Sequence, residues 1–207
     1  QAEQSILAGV ELVRRQKAEG VQLLATGEMG IGNTTTSSAV CSVLLDQSVE
    51  KVTGKGAGLT NKDLEHKIEV IKQSIALNQV DANDPIDVLS KVGGLDIAGM
   101  VGCYIGGAAL QVPVFIDGFI SSVAALIAIR LIPECAPYLF PSHCSNEPAG
   151  HLILDAIGKE PYILANMCLG EGTGAVMGFT IADYAFKAYW ELPSFEQTNF
   201  GTYEELN

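Results

Sequence analysis

The chain has 207 residues, 48% of them apolar, with 24 Asp and Glu against 12 Lys and Arg and a net charge of −12. That much apolar material excludes disorder as the main state and suffices for one sizeable core. A surface this acidic repels polyanions, which excludes nucleic acid as a partner.

Ile6, Val10 and Val13 fall on one face of a first segment, Gln1 to Glu19, with Arg14, Arg15 and Lys17 near its end and Gly20 after it. This is the pattern of an amphipathic helix stopped by glycine, without the basic-then-apolar layout of a signal peptide. The apolar run Val21 to Thr26 reads as a strand bounded by Gly27, and Asn33 opens a helix reaching Leu45. A glycine turn, Gly54-Lys-Gly-Ala-Gly58, precedes a helix from Asn61 to about Val80, and Asp84-Pro85 starts a short helix that Gly93-Gly94 ends. The run from Ile97 to Ile116 is uncharged and reaches the ~20 residues of a membrane span. Gly99, Gly102, Gly106, Gly107, Gln111 and Pro113 interrupt it, so a buried helix running into a buried strand is expected, and no membrane span.

The grammar of strand, turn and helix then repeats. Val112 to Ile116 leads through Asp117-Gly118 to a helix ending near Ile129, and Tyr138 to Phe140 leads through Pro141 to Asn146 to a helix ending near Ile157. Tyr162 to Met167 leads through Leu169-Gly-Glu-Gly-Thr-Gly174 to a helix reaching Tyr189. Such alternation predicts a three-layer α/β/α fold, Rossmann-like, with a mainly parallel sheet and the active site at the C-terminal ends of the strands. One domain over residues 1–190 is expected. Residues 191–207 form a tail lacking Lys and Arg, expected on the surface or against a neighbour.

Cys41, Cys103, Cys135, Cys144 and Cys168 are an odd set without C-x-x-C spacing, which suits a reducing cytoplasm better than a disulfide framework or a zinc site. His66, His143 and His151 form no ligand spacing, so neither metal nor cofactor is expected. Tyr184, Phe186, Tyr189 and Trp190 read as core or dimer contact rather than a stacking platform.

Four loops at the expected ligand edge hold the unusual residues: Gly27 to Thr34, Asp117-Gly118, Ser142 to Asn146 and Leu169 to Gly174. Each precedes a helix N-terminus, where free N–H groups attract anions, and glycines allow close backbone approach. A phosphorylated small molecule is the expected guest. The glycines of Gly27-Glu-Met-Gly-Ile-Gly32 are spaced G-x-x-G-x-G, and Gly54 to Gly58 lacks a Lys-Ser/Thr end, which counts against dinucleotide oxidoreductases and NTPases. Glu28 and Glu171 sit within these loops. Each reads either as an acid favoured at a helix N-terminus or as a group acting at an anomeric carbon.

Gly27-Glu-Met-Gly-Ile-Gly-Asn-Thr-Thr35, Gly54 to Gly58, Phe115-Ile-Asp-Gly-Phe119, Ser142-His-Cys-Ser-Asn-Glu147 and Leu169 to Gly174 together resemble the nicotinate-nucleotide:dimethylbenzimidazole phosphoribosyltransferase family. The resemblance covers nearly the whole chain and corresponds to the C-terminal part of the usual family chain, so the family's N-terminal segment and an initiator Met are expected to be missing. It implies a homodimeric enzyme that takes nicotinate mononucleotide and a benzimidazole-type base and makes the lower-ligand nucleotide of cobalamin. It implies Glu171 as general base, Glu28 as a second active-site carboxylate and Lys67 as an active-site lysine. Spacing alone reads Lys67 as an i,i+4 partner of Asp63 worth ~0.3–0.5 kcal/mol. Substrate contacts are expected from Gly30, Gly32, Asn33, Thr34, Asp117, Gly118, Ser145, Leu169, Gly172 and Thr173. Two other readings stay open: a transferase for another lower-ligand base, and a noncatalytic phosphoribosyl-binding half-enzyme needing a second chain.

Overall fold

The computed structural model describes residues 1–198. Helix α1 (Ala2–Ala18) ends at a left-handed Gly20, and β1 (Leu24–Ala25) leads to α2 (Asn33–Leu45). Then come α3 (Val49–Val52), α4 (Asn61–Asn78), α5 (Pro85–Val92) and α6 (Leu95–Leu110). The chain continues with β2 (Val114–Ile116), α7 (Phe119–Leu131), a 3-10 turn (Pro133–Tyr138) and β3 (Leu139–Pro141). Helices α8 (Gly150–Ala156) and α9 (Thr173–Glu191) complete it. The short α3 and the 3-10 turn have no counterpart in the sequence reading. Residues 199–207 of the expected tail lie outside the described residues.

The caps work as their chemistry dictates. Asp84 accepts from the N–H groups of Ile86 and Asp87, with Pro85 at the first helical position, and Thr60 accepts from Asp63 N.

The sheet is parallel, in the order β1-β2-β3, with Leu24 opposite Val114 and Val114 opposite Leu139. The expected fourth strand, Tyr162 to Met167, shrinks to one parallel bridge between His143 and Ile163. Asn166, in the left-handed region at φ 49°, turns the chain away from the ladder.

Val114 and Ile116 point into a core shared with α2, α5, α6 and α7. Phe115 points the other way, where Phe179 of α9 meets it edge-on at 5.4 Å. Gly178 makes that approach possible, because a Cβ there would lie 2.6 Å from the Phe115 ring. On the helical side, α1 packs backbone to backbone on α6. A Cβ on Gly9 would collide with Gly99 O, and one on Gly102 with Ile6 O.

Tyr184, Phe186, Tyr189 and Trp190 do not belong to this core, being 60–76% exposed. The reason is length: the 19 residues of α9 run about 28 Å at 1.5 Å each, whereas three strand residues span about 10 Å. The second half of the helix outruns the sheet. Among the described residues no helix is long and apolar enough to cross a membrane, and Ile97 to Ile116 is α6 leading into β2.

Candidate active site

The loops after β1, β2 and β3 and the loop before α9 meet around a cleft of about 340 Å³ at the C-terminal edge of the sheet. Contact between two of them is backbone on backbone. A Cβ on Gly27 would lie 2.6 Å from Gly172 N, so glycine is needed there for close approach rather than for an unusual φ.

Of the expected residues, Glu28, Gly30, Thr34, Gly118, Ser145, Leu169 and Glu171 line the cleft. Glu171 is exposed at the loop tip, and its φ of 63° puts a non-glycine residue in the left-handed region. Strain of this kind costs on the order of 1–3 kcal/mol and persists where surrounding structure enforces it.

Glu28 is oriented from behind. Asn33, 8% exposed, donates from Nδ2 to Glu28 Oε2 at 2.8 Å and to Asp96 Oδ2 at 3.0 Å. Asp96, in the first turn of α6, has no local sequence signal marking it. Glu28 also lies against the second loop, since a Cβ on Gly170 would be 2.8 Å from its Oε1.

Lys67 is not the partner of Asp63, which instead binds Thr60. Its side chain is buried, and Nζ donates to Thr34 Oγ1 at 2.9 Å and to Gly54 O at 3.0 Å. Burial lowers the Lys67 pKa, against the charge of Glu147. The ammonium therefore stands behind the cleft wall and fixes Thr34, while Glu147 lines the cleft with one carboxylate oxygen, Oε2, buried and unpartnered.

Asp117 does not line the cleft. Fully buried, it accepts from Gly172 N at 3.1 Å, Gly174 N at 2.8 Å and Ala175 N at 3.1 Å. It caps α9 across the fold, so the N-terminus of that helix is already closed by an anion and offers none of the expected room for a phosphate. Gly172 N is engaged by Asp117, and Thr173 bonds back to Gly170 O. Helices α2 and α7 begin at Gly32 and Gly118 without a side-chain cap.

The sequence reading missed Met29, Ile31, Phe119, Ile120, His143 and Glu147 as lining residues. Of these, all but Ile120 stand inside one of the motifs that carry the resemblance. The acids Glu28, Glu147 and Glu171 line the cleft, and no Lys or Arg is among the lining residues. Among the described residues no group of three or more His, Cys, Asp or Glu is placed to hold a metal ion.

Glycine loops converging on the strand ends, with uncapped helix N-termini and acids about a cleft, are what a phosphoribosyl-transferring domain needs. A family model described as Phosphoribosyltransferase matches residues 1–200, and the chain belongs to that family.

Its relatives narrow the description. The chain is 51% identical over 206 residues to the protein named Nicotinate-nucleotide--dimethylbenzimidazole phosphoribosyltransferase in Ruminiclostridium cellulolyticum, covering 100% of this chain and 58% of that protein. It is 50% identical to the protein of the same name in Acetivibrio thermocellus, covering 99% of this chain and 58% of that one. The crystal structure of CobT from Thermus thermophilus superposes with a TM-score of 0.90 at 34% identity, over 97% of this chain and 60% of that one. The chain thus spans about 58% of the length of the curated relatives it matches.

Proposed function

We propose that this chain transfers the phosphoribosyl group of nicotinate mononucleotide to 5,6-dimethylbenzimidazole, in assembly of the lower-ligand nucleotide of cobalamin. One ring nitrogen of the base attacks the anomeric carbon. The bond from that carbon to the pyridinium breaks with its electron pair, and Glu171 takes the proton from the other ring nitrogen. Nicotinate and α-ribazole 5′-phosphate result. The pyridinium leaves as a neutral ring, so the step calls for no metal or cofactor.

The observation that supports this best is the acid-lined cleft, with Glu171 exposed in it on a left-handed backbone. Carboxylates suit a cationic pyridinium and the oxocarbenium charge that develops as it departs. The phosphate is assigned to the open N-terminus of α2, with Thr34 beside it, and the sugar to the side of Gly118 and Ser145. Residues 1–190 are taken as the transferase domain, with 191–207 as a tail. The acting unit is proposed to be a cytoplasmic homodimer, supported by the exposed aromatic residues at the far end of α9.

Glu171→Gln keeps size and hydrogen bonding but loses basicity. The single-turnover rate is expected to fall ~10²–10⁴-fold, with donor affinity and melting temperature unchanged. A normal rate with lowered melting would reduce Glu171 to a helix-end acid. Nicotinate release assayed across several bases ranks acceptors, and release with none would leave a phosphoribosyl-binding module.

A further inference from the structure

His143 has no task in the transfer just proposed, on which the present inference rests. Its ring is 2% exposed yet lines the cleft. Ser142 Oγ lies 3.1 Å from its Nδ1. A hydroxyl has one hydrogen, and that of Ser142 is directed at backbone oxygens, 2.7 Å from Ile116 O and 3.2 Å from Asp117 O. Ser142 Oγ is therefore left to accept, and Nδ1 carries the ring's hydrogen. A neutral imidazole with Nδ1–H keeps its lone pair on Nε2.

Burial lowers the His143 pKa, against the charge of Asp117, and favours this neutral form. Nε2 has no hydrogen-bond partner among the described residues. A Cβ placed on Gly118 would touch it at 3.5 Å, so position 118, as glycine, puts no side chain of its own over Nε2. Gly174 closes the other side, where any Cβ would collide with Nδ1 and tilt the ring. The result is a bare, oriented acceptor in the floor of a cleft whose charged lining groups are the carboxylates of Glu28, Glu147 and Glu171.

We propose that His143 Nε2 accepts a hydrogen bond from a ribose hydroxyl of bound nicotinate mononucleotide and so selects for the sugar. The donor's chemistry singles out this partner. Its carboxylate has no hydrogen at neutral pH, its phosphate is mostly a dianion, and its pyridinium nitrogen carries carbon rather than hydrogen. Only the two ribose hydroxyls can donate. A lone pair repels the phosphate, so the nucleotide is oriented with its hydroxyl face on His143 and its phosphate away from that floor.

Nitrogen-15 NMR of the histidine rings in the whole chain at pH 7 reads the tautomer without ligand. The expected result is Nδ1–H with an unprotonated Nε2, whose signal shifts when nicotinate mononucleotide saturates the site and stays put with 5,6-dimethylbenzimidazole alone. By calorimetry, His143→Phe should bind the nucleotide about 5-fold more weakly, the size of one hydrogen bond, and His143→Gln, which can place an amide oxygen there, should recover most of the loss. Analogues lacking one ribose hydroxyl should bind the wild type more weakly, and one of them should lose nothing further on His143→Phe. An Nε2–H tautomer, an imidazolium, a shift caused by the base alone, or equal affinities overturn the contact, and the NMR arm needs no variant to fold. A wild-type chain that fails to bind the nucleotide at all overturns the transfer reading and this contact together.

Discussion

Gly174, in the first turn of α9, donates its backbone N–H to Asp117 Oδ1 at 2.8 Å, across 57 positions of sequence. The helix that follows the Glu171 loop is therefore capped from the end of the central strand, not by its own neighbours. That bond, with those from Gly172 and Ala175, ties the loop to the sheet.

Asp117→Asn tests this tie. Asparagine keeps one acceptor oxygen and turns an NH₂ toward backbone N–H groups, so at least one donor loses its partner. Unfolding in urea should show a loss of about 2–4 kcal/mol, since hydrogen bonds to charged groups contribute ~1.5–3 kcal/mol each. Unchanged stability would mean the cap is idle.

Lys67→Met separates a buried structural ammonium from a solvated helix partner. With Gly54 O and Thr34 Oγ1 left unbonded, the variant should lose about 1–3 kcal/mol as well as turnover. An i,i+4 surface pair would have moved neither. Melting curves and nicotinate release on one sample decide.

Glu171→Gly should push stability and activity in opposite directions. Glycine adopts φ 63° without the steric cost, so stability should hold or rise by up to about 1 kcal/mol, while catalysis is lost. A clear drop in melting temperature would show that the Glu171 side chain supports the fold.

His143 predicts an acid-side slope. Its pKa in the fold lies below the ordinary 6.5, so between the two values the unfolded chain binds more protons and stability falls as pH drops from 6.5. His143→Phe should flatten that part of the stability profile relative to the wild type. Parallel profiles would show that the imidazole is not held neutral.

Helices were largely legible: Asp84 caps α5, and Asn33 and Leu45 bound α2 as expected, although Gly32 rather than a side chain of Asn33 stands at its N-cap. Strand lengths were not. Val21 to Thr26 contains two ladder residues, because apolar composition marks buried extended chain whether or not it pairs. The converging loops were legible from their glycines. The bonds inside them were not, since Asp117 to Gly174, Asn33 to Asp96 and Lys67 to Thr34 join positions 57, 63 and 33 apart and leave no local pattern.

A sheet whose strands have two or three residues has almost no interior of its own. Its rigidity continues into the turns beyond the ladder, where Gly27 rests on Gly172 and Asp117 grips α9. Scaffold contacts and cleft lining are here drawn from the same short loops. Substitutions that remodel what the cleft accepts will fall on residues the fold also depends on, so new specificity is reached more readily through Met29, Ile31 and Leu169, exposed on the rim, than through the glycines beneath them.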